Sequence, residues 1–325
     1  MILAGIDIGT NTLRLLVAET GPDSFHELYA DRKITRLGQD LDLGGMLTSG
    51  AQDRALKALA GFAEQIRRHA ARQTAAIGTS ALRNASNASA FIHAVKKKTG
   101  IDITVISGEE EARLTLLGVA HALTGDERQK KINPFTSSLV IDIGGGSTEI
   151  IANRLGEMPV IVSLPLGAVY LTERCIKHDP PIAEEVDLLR RMVREKLDRY
   201  SAMIQPDLAG MLVGTAGTIT TLAAIDQGLE AYDPARINRS ALTTDSIDKI
   251  IDTLSVSSLA ERRMIRGLEP GREDIILAGA VILQEIMRRF GYTSMLVSDC
   301  GLREGIVLDM YEKINKQDAT KATKP

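Results

Sequence analysis

The chain has 325 residues, 44% hydrophobic and 25% charged, which suits two domains with sizeable cores and excludes a disordered chain. Its 39 basic and 42 acidic residues leave a formal charge of -3, so no bulk basicity advertises nucleic acid, and an anionic ligand must be held by local groups. The 2 cysteines lack metal-ligand spacing and point to a reducing compartment, the 5 histidines show no paired spacing, and no apolar run is long enough to span a membrane. The expectation is a cytoplasmic protein with no nucleic-acid or membrane partner.

In chain order, Met1 to Ile6 is apolar but lacks a basic segment and runs straight into Asp7, so it reads as a first strand rather than a signal peptide. Gly5-Ile6-Asp7-Ile8-Gly9-Thr10-Asn11-Thr12 then turns and re-enters an apolar run, Leu13 to Ala18, giving strand, tight turn, strand. A third strand is expected around His26 to Ile34, followed by a Gly-rich loop from Leu37 to Gly50. Leu56, Leu59, Ala63 and Ile66 recur at helical spacing, with Arg67 and Arg68 at the carboxyl end, where they complement the dipole. Gln73 to Gly78 reads as a strand, Ala88 to Lys98 as a helix stopping before Gly100, and Ile101 to Ile106 as a strand. Ser107-Gly108-Glu109-Glu110-Glu111 opens another helix with acids in its first turn.

Thr124 to Ser137, polar and holding Gly125, Asn133 and Pro134, reads as a connector. Beyond it, Ile141-Asp142-Ile143-Gly144-Gly145-Gly146-Ser147-Thr148-Glu149 repeats the opening pattern and re-enters an apolar run at Ile150. A long charged helix is expected over Ile182 to Tyr200, a strand over Met211 to Val213, and helices near Thr244 to Leu254 and Asp274 to Phe290. The segment 315–325 has no apolar periodicity and reads as a flexible tail. Strand and helix alternate throughout, so the class is α/β with mixed sheets.

The two Asp-Gly loops lie in register, with an offset of 135 between Asp7 and Asp142 and of 136 between Gly78 and Gly214 in the strand-turn-helix segments that follow. Arg36-Leu37-Gly38 is echoed by Pro165-Leu166-Gly167 at an offset of 129. A repeat this long means a duplicated domain rather than a solenoid, and two similar halves are expected to face each other across a cleft.

Glycine permits close backbone approach, so Thr10, Asn11 and Thr12 in one loop and Gly144, Gly145, Gly146, Ser147 and Thr148 in the other can line anion-binding concavities. Asp7 and Asp142 can each hold a cation or its water. One such loop is more often an ordinary hairpin turn; two in register argue otherwise. Asp142 and Glu149 bracket the second loop and suit Mg2+ or another divalent cation, although a turn aspartate and an exposed strand glutamate would look the same. The bland reading of Glu109, Glu110 and Glu111 is solvated acids at a helix amino terminus; the functional one has Glu111 accept a proton from water attacking phosphorus. Arg83 and Arg14, each just past a loop, can contact phosphate. Basic groups at Arg32, Lys33 and Arg36, at Arg262, Arg263 and Arg266, and at Lys96 to Lys98 could extend an anion track, but such runs more often form solvated faces.

These segments, together with Ser107 to Leu114, Val213-Gly214-Thr215-Ala216-Gly217-Thr218 and Ser298-Asp299-Cys300-Gly301-Leu302-Arg303-Glu304-Gly305, resemble the exopolyphosphatase and guanosine pentaphosphate phosphohydrolase family. The resemblance spans nearly the whole chain, and the Ser-Gly-Glu-Glu-Glu-Ala-Arg block separates this family from its kinase and actin relatives. It implies two duplicated domains of the actin-like ATPase, or ribonuclease H-like, type: residues 1–124 completed by a carboxyl-terminal helix 301–314, and residues 125–300. It also implies Mg2+-dependent removal of a terminal phosphate from inorganic polyphosphate, or from guanosine penta- or tetraphosphate. In that pattern Glu111 is the base, Asp142 and Glu149 organise metal and water, Arg83 holds phosphate, and Arg272 falls where the family has a ligand-binding arginine. Longer members add a helical carboxyl-terminal region, absent from this sequence, and a homodimer is the expectation by analogy. Two other classes stay open: phosphoryl transfer to an acceptor, as in kinase relatives, and ligand sensing without turnover.

Overall fold

A computed structural model describes residues 1–22, 24–124, 137–154, 156–200, 202–204 and 210–322. The interior of the expected connector, residues 125–136, lies outside the described residues. The chain divides into two compact units, Met1–Gly118 with Gly301–Pro325, and Val119–Cys300.

In the first unit, β1 (Ile2–Ile8), β2 (Thr12–Gly21) and β3 (Ser24–Ile34) form an antiparallel meander. β4 (Gln73–Gly78) and β5 (Ile103–Val105) extend it in parallel, giving the order β3-β2-β1-β4-β5. Parallel neighbours need crossover connections. A short α1 (Leu41–Gly44) and α2 (Ser49–Arg68) precede β4, and α3 (Ser80–Asn84) and α4 (Ala88–Thr99) link β4 to β5. α5 (Gly108–Thr124) follows β5.

β1 is central and covered on both faces, which is why its sequence is a nearly continuous apolar run. Ala4, Ile6 and Ile8, with Leu13, Leu15 and Val17, pack against Leu59 and Phe62 of α2 and Phe91 and Val95 of α4. On the opposite face Leu3, Leu16 and Ala18 are buried beneath Val307, Met310 and Ile314 of the carboxyl-terminal helix, α13 (Leu302–Ala322). α13 thus carries on through Asn315 to Ala322, where a tail was expected.

In the second unit, β6 (Ser137–Ile143), β7 (Thr148–Arg154) and β8 (Val160–Leu164) repeat the antiparallel meander. α6 (Ala168–Cys175) and α7 (Ala183–Tyr200) lead to β9 (Met211–Thr215), which pairs in parallel with β6. α8 (Ala216–Asp226), α9 (Pro234–Ile237), β10 (Ala241–Thr243), α10 (Thr244–Val256), α11 (Leu259–Arg262) and α12 (Ile276–Phe290) precede β11 (Ser294–Val297), which pairs in parallel with β9. The sheet order is β10-β11-β9-β6-β7-β8. Read from the β8 edge, its first five strands have the order and directions of the first sheet, and β10 is an added antiparallel edge strand. This doubled meander with two parallel strands is the actin-like, ribonuclease H-like domain, present twice. α12, buried along almost its whole length, is the centre of the second core.

The loose Leu-Gly echo has a shared structural cause. Gly38 donates its N–H to the Thr10 carbonyl, and a Cβ there would lie 2.4 Å from the Thr10 methyl group. Gly167 packs so tightly on the second loop that a Cβ would lie 2.2 Å from the Gly145 carbonyl oxygen. Each glycine lets a following segment press directly on the backbone of its own Asp-Gly loop.

Candidate functional site

The two loops have the same backbone. Gly9 donates its N–H to the Thr12 carbonyl at 3.1 Å, and Gly144 donates to the Ser147 carbonyl at 3.0 Å. In the first loop, Thr10, Asn11 and Thr12 are buried. The Asn11 carbonyl accepts from the Thr35 and Arg36 N–H groups, so the segment after β3 braces the turn. In the second, Gly144, Gly145 and Gly146 are half-buried and Ser147 is buried. The Gly144 and Gly145 carbonyls accept from Ala168 and Val169 at the start of α6. Thr148 departs from its expected place among phosphate-binding groups: it is fully buried, and its hydroxyl donates to the Leu166 carbonyl. That hydroxyl holds the loop to the Leu166-Gly167 segment.

Loop chemistry diverges at the residue paired with each aspartate. Asp7 is the register partner of Arg14 across β1 and β2, with their charged atoms 4.0 Å apart. Asp142 is the register partner of Glu149 across β6 and β7, and both are buried. The first loop therefore has a cation beside its aspartate, whereas the second has two carboxylates side by side. Two hard oxygen donors on adjacent strands suit a divalent cation that completes its shell with water and phosphate oxygens. No cluster of three or more His, Cys, Asp or Glu side chains arranged for a metal occurs among the described residues. Ser163 of β8, a residue the sequence reading passed over, is the register partner of Glu149 and donates to its carboxylate at 2.8 Å. The signal was a lone hydroxyl in the apolar run Val160 to Leu164.

The glutamate triplet separates into three environments because successive helical residues point about 100° apart. Glu109 is exposed; a bond to its own backbone N–H, then one from Ser107, holds its carboxyl below the usual range. Glu110 accepts both nitrogens of Arg113, at 2.7 and 2.8 Å, and this contact keeps its carboxyl low. Arg113 also reaches Asp309 of α13 at 2.7 Å, so Glu110 belongs to a clasp between α5 and α13. Glu111 alone is buried, its carboxylate 2.6 Å from the Arg83 guanidinium. Arg83 also donates to the Ile106 carbonyl at 3.0 Å, which fixes the guanidinium at the end of β5. The bland reading therefore describes Glu109, Glu110 ties α5 to α13, and the buried acid is Glu111.

Arg272 lies in the turn before α12, nearly buried, with its Nε donating to Glu269 at 2.6 Å. Its N–H bonds to the Glu269 carbonyl, and its own carbonyl caps Ile275 and Ile276. Within the first unit the fold brings together Asp7, the Thr10 to Thr12 turn and Arg14, and separately Arg83 with Glu111. Within the second it brings together Asp142, Glu149 and Ser163.

A family model described as the Ppx/GppA phosphatase family matches residues 16–314. "Exopolyphosphatase 2" of Mycobacterium tuberculosis is 35% identical, with 95% of this chain and 98% of that protein covered. Among solved structures, the Aquifex aeolicus Ppx/GppA family member has a TM-score of 0.79 at 32% identity, covering 97% of this chain and 99% of its own. An exopolyphosphatase from Cytophaga hutchinsonii has a TM-score of 0.85 at 28% identity, covering 96% and 98%.

Proposed function

Because the chain belongs to the Ppx/GppA phosphatase family, we propose that it releases the terminal phosphate of inorganic polyphosphate to water, with Glu111 as general base. The observation that carries the proposal is the separation of Glu111 from its two neighbours: it alone is buried and paired with a phosphate-competent arginine. The relatives named as exopolyphosphatases support polyphosphate as the substrate.

In this reading Arg83 contacts an oxygen of the transferred group and meets the charge that grows on it. Glu111, held against the Arg83 guanidinium, takes the proton from the attacking water. The N–H groups of Gly144 to Gly146 and the polar turn from Thr10 to Thr12 cradle phosphate oxygens. Arg14 screens Asp7, so that the first loop accepts an anion. Phosphatases of this family generally use divalent cations, and Asp142 and Glu149 are the residues that would hold one, with Ser163 orienting Glu149. Such an ion, Mg2+ by donor type, would neutralise phosphate charge. Arg272 is assigned to substrate contact through its exchangeable pair with Glu269.

The test is phosphate release from polyphosphate and guanosine pentaphosphate, side by side, in Mg2+. Glu111→Gln is expected to cut turnover roughly a hundredfold or more, the usual scale for a general base, in a protein that still folds although its melting point falls with the loss of the Arg83 ion pair. Undiminished release would remove Glu111 from the mechanism.

A further inference from the structure

The hairpin of β2 and β3 contains an irregularity with a chemical consequence. Near its turn the register pairs Gly21 with Ser24, Thr20 with Phe25, Glu19 with His26 and Ala18 with Glu27. Continued without interruption, that count would set Asp31 opposite Arg14 and close an ordinary cross-strand ion pair. A bulge between Val17 and Ala18 instead leaves Leu28 as the extra residue, and beyond it Leu16 pairs with Ala30 and Arg14 with Arg32. Like charges directly opposite on a sheet are unfavourable, and bulges commonly serve to re-aim side chains. Here the bulge sets Arg32, rather than Asp31, opposite Arg14.

The row is continuous with the candidate site. Asp7, Arg14 and Arg32 are register partners across β1, β2 and β3, so the pleat puts all three on one face. It is the face that carries α13, because Leu3, Leu16 and Ala18 are buried there, and Gly5 lies against Val307 and Ile306. The row of Gly5, Leu16 and Ala30 is thus beneath the helix, and the next row, toward the Asp-Gly loop, is the one bearing the arginines. Arg14 is half-buried and Arg32, on the edge strand, is exposed. The equivalent row of the second unit is Asp142, Glu149 and Ser163. One row carries two arginines and an acid, the other two acids and no cation.

We infer that Arg32 and Arg14 form an anion track across β1, β2 and β3, along which the body of a condensed phosphate chain lies once its terminal group is bound. Adjacent strands are about 4.8 Å apart, so the arginines step outward at a spacing comparable to that of a phosphoryl unit or two. A polyanion lying across β2 and β3 meets both guanidiniums, and Arg32 becomes a contact that favours long substrates over short ones. The inference rests on the polyphosphate reading above.

The experiment compares the wild type, Arg32→Glu and Arg32→Lys in two measurements. One is kcat/KM on long-chain polyphosphate and on tripolyphosphate; the other is calorimetric binding of long-chain polyphosphate over a range of salt. Arg32→Glu is expected to lower kcat/KM on the long chain about tenfold more than on tripolyphosphate and to flatten the log–log salt dependence of binding by roughly one unit or more. Arg32→Lys, which keeps the charge, should retain most of both. Equal losses on the two substrates, or an unchanged salt slope, would overturn the track. A wild type that releases no phosphate, yet loses long-chain binding on Arg32→Glu, would overturn the hydrolase reading and leave the track standing.

Discussion

Asp142 and Glu149 face each other on neighbouring strands with both side chains buried, so each carboxylate adds to the electrostatic cost of the other. Like charges directly opposite on a sheet are unfavourable by about 0.2–1 kcal/mol. Glu149→Gln removes the repulsion and keeps an oxygen for the Ser163 hydroxyl. Without divalent cation, this variant is expected to melt about 1–2 °C above wild type. On adding Mg2+ the order should reverse, because the wild type gains stability by binding and the variant does not. A calorimetric scan that shows the same Mg2+ response in both proteins would remove Glu149 from the cation site. At this level the sequence exposed the placement of some side chains and hid that of others. Asp7, Asp142 and Glu149 were legible because glycines and hydroxyls bracket them. Which member of the glutamate triplet is buried was not set by sequence spacing alone, since it depends on Arg83 and Arg113, which pair with different glutamates of α5. Arg32 was indistinguishable from a solvated charge because a single bulged residue decides whether it or Asp31 faces Arg14.

The two Leu-Gly segments make a graded experiment on how the loops are held. At Gly38 an added methyl would meet the Thr10 side chain, whose methyl can rotate away. At Gly167 it would meet the Gly145 carbonyl and the Gly146 nitrogen, at 2.2 and 2.3 Å, and backbone cannot yield without moving the loop. Gly167→Ala is therefore expected to destabilise by about 1–3 kcal/mol, the scale of overpacking, and to impair phosphate binding as the second loop shifts. Gly38→Ala should do less of both. Chemical denaturation of the two variants checks the order, and a smaller loss at Gly167 would show that the second loop is the more pliable. The same punctuation made several elements legible. Gln73–Gly78 is the observed β4 because a glycine and two hydroxyls end it, and the helix at Ala88–Thr99 stops at a left-handed Gly100. Val160–Leu164 was harder: a five-residue apolar run does not distinguish a strand from a buried helix segment, and Ser163 was missed along with it.

The duplication gave the molecule two cores with different ways of closing the meander face. The second unit is contiguous, its centre being α12, which carries buried residues from Ile276 to Phe290. The first unit is assembled from both ends of the sequence, because the face formed by Leu3, Leu16 and Ala18 is covered by α13. Stability of the β1–β2–β3 loop region should then depend on a helix distant in sequence, whereas the carboxylate pair of the second unit should not. Met310→Ala opens a cavity under α13 and is expected to cost about 2–5 kcal/mol. Because that loss falls on one core, hydrogen exchange should accelerate in Ile2–Ile34 and in α13 while amides of β6 and α12 keep wild-type protection. Equal acceleration in α12 would mean that the units unfold as one cooperative body. The selective outcome would separate the proposed properties of the two units: anion binding at Arg14 and Arg32 would weaken as the first core loosens, and cation binding at Asp142 and Glu149 would persist.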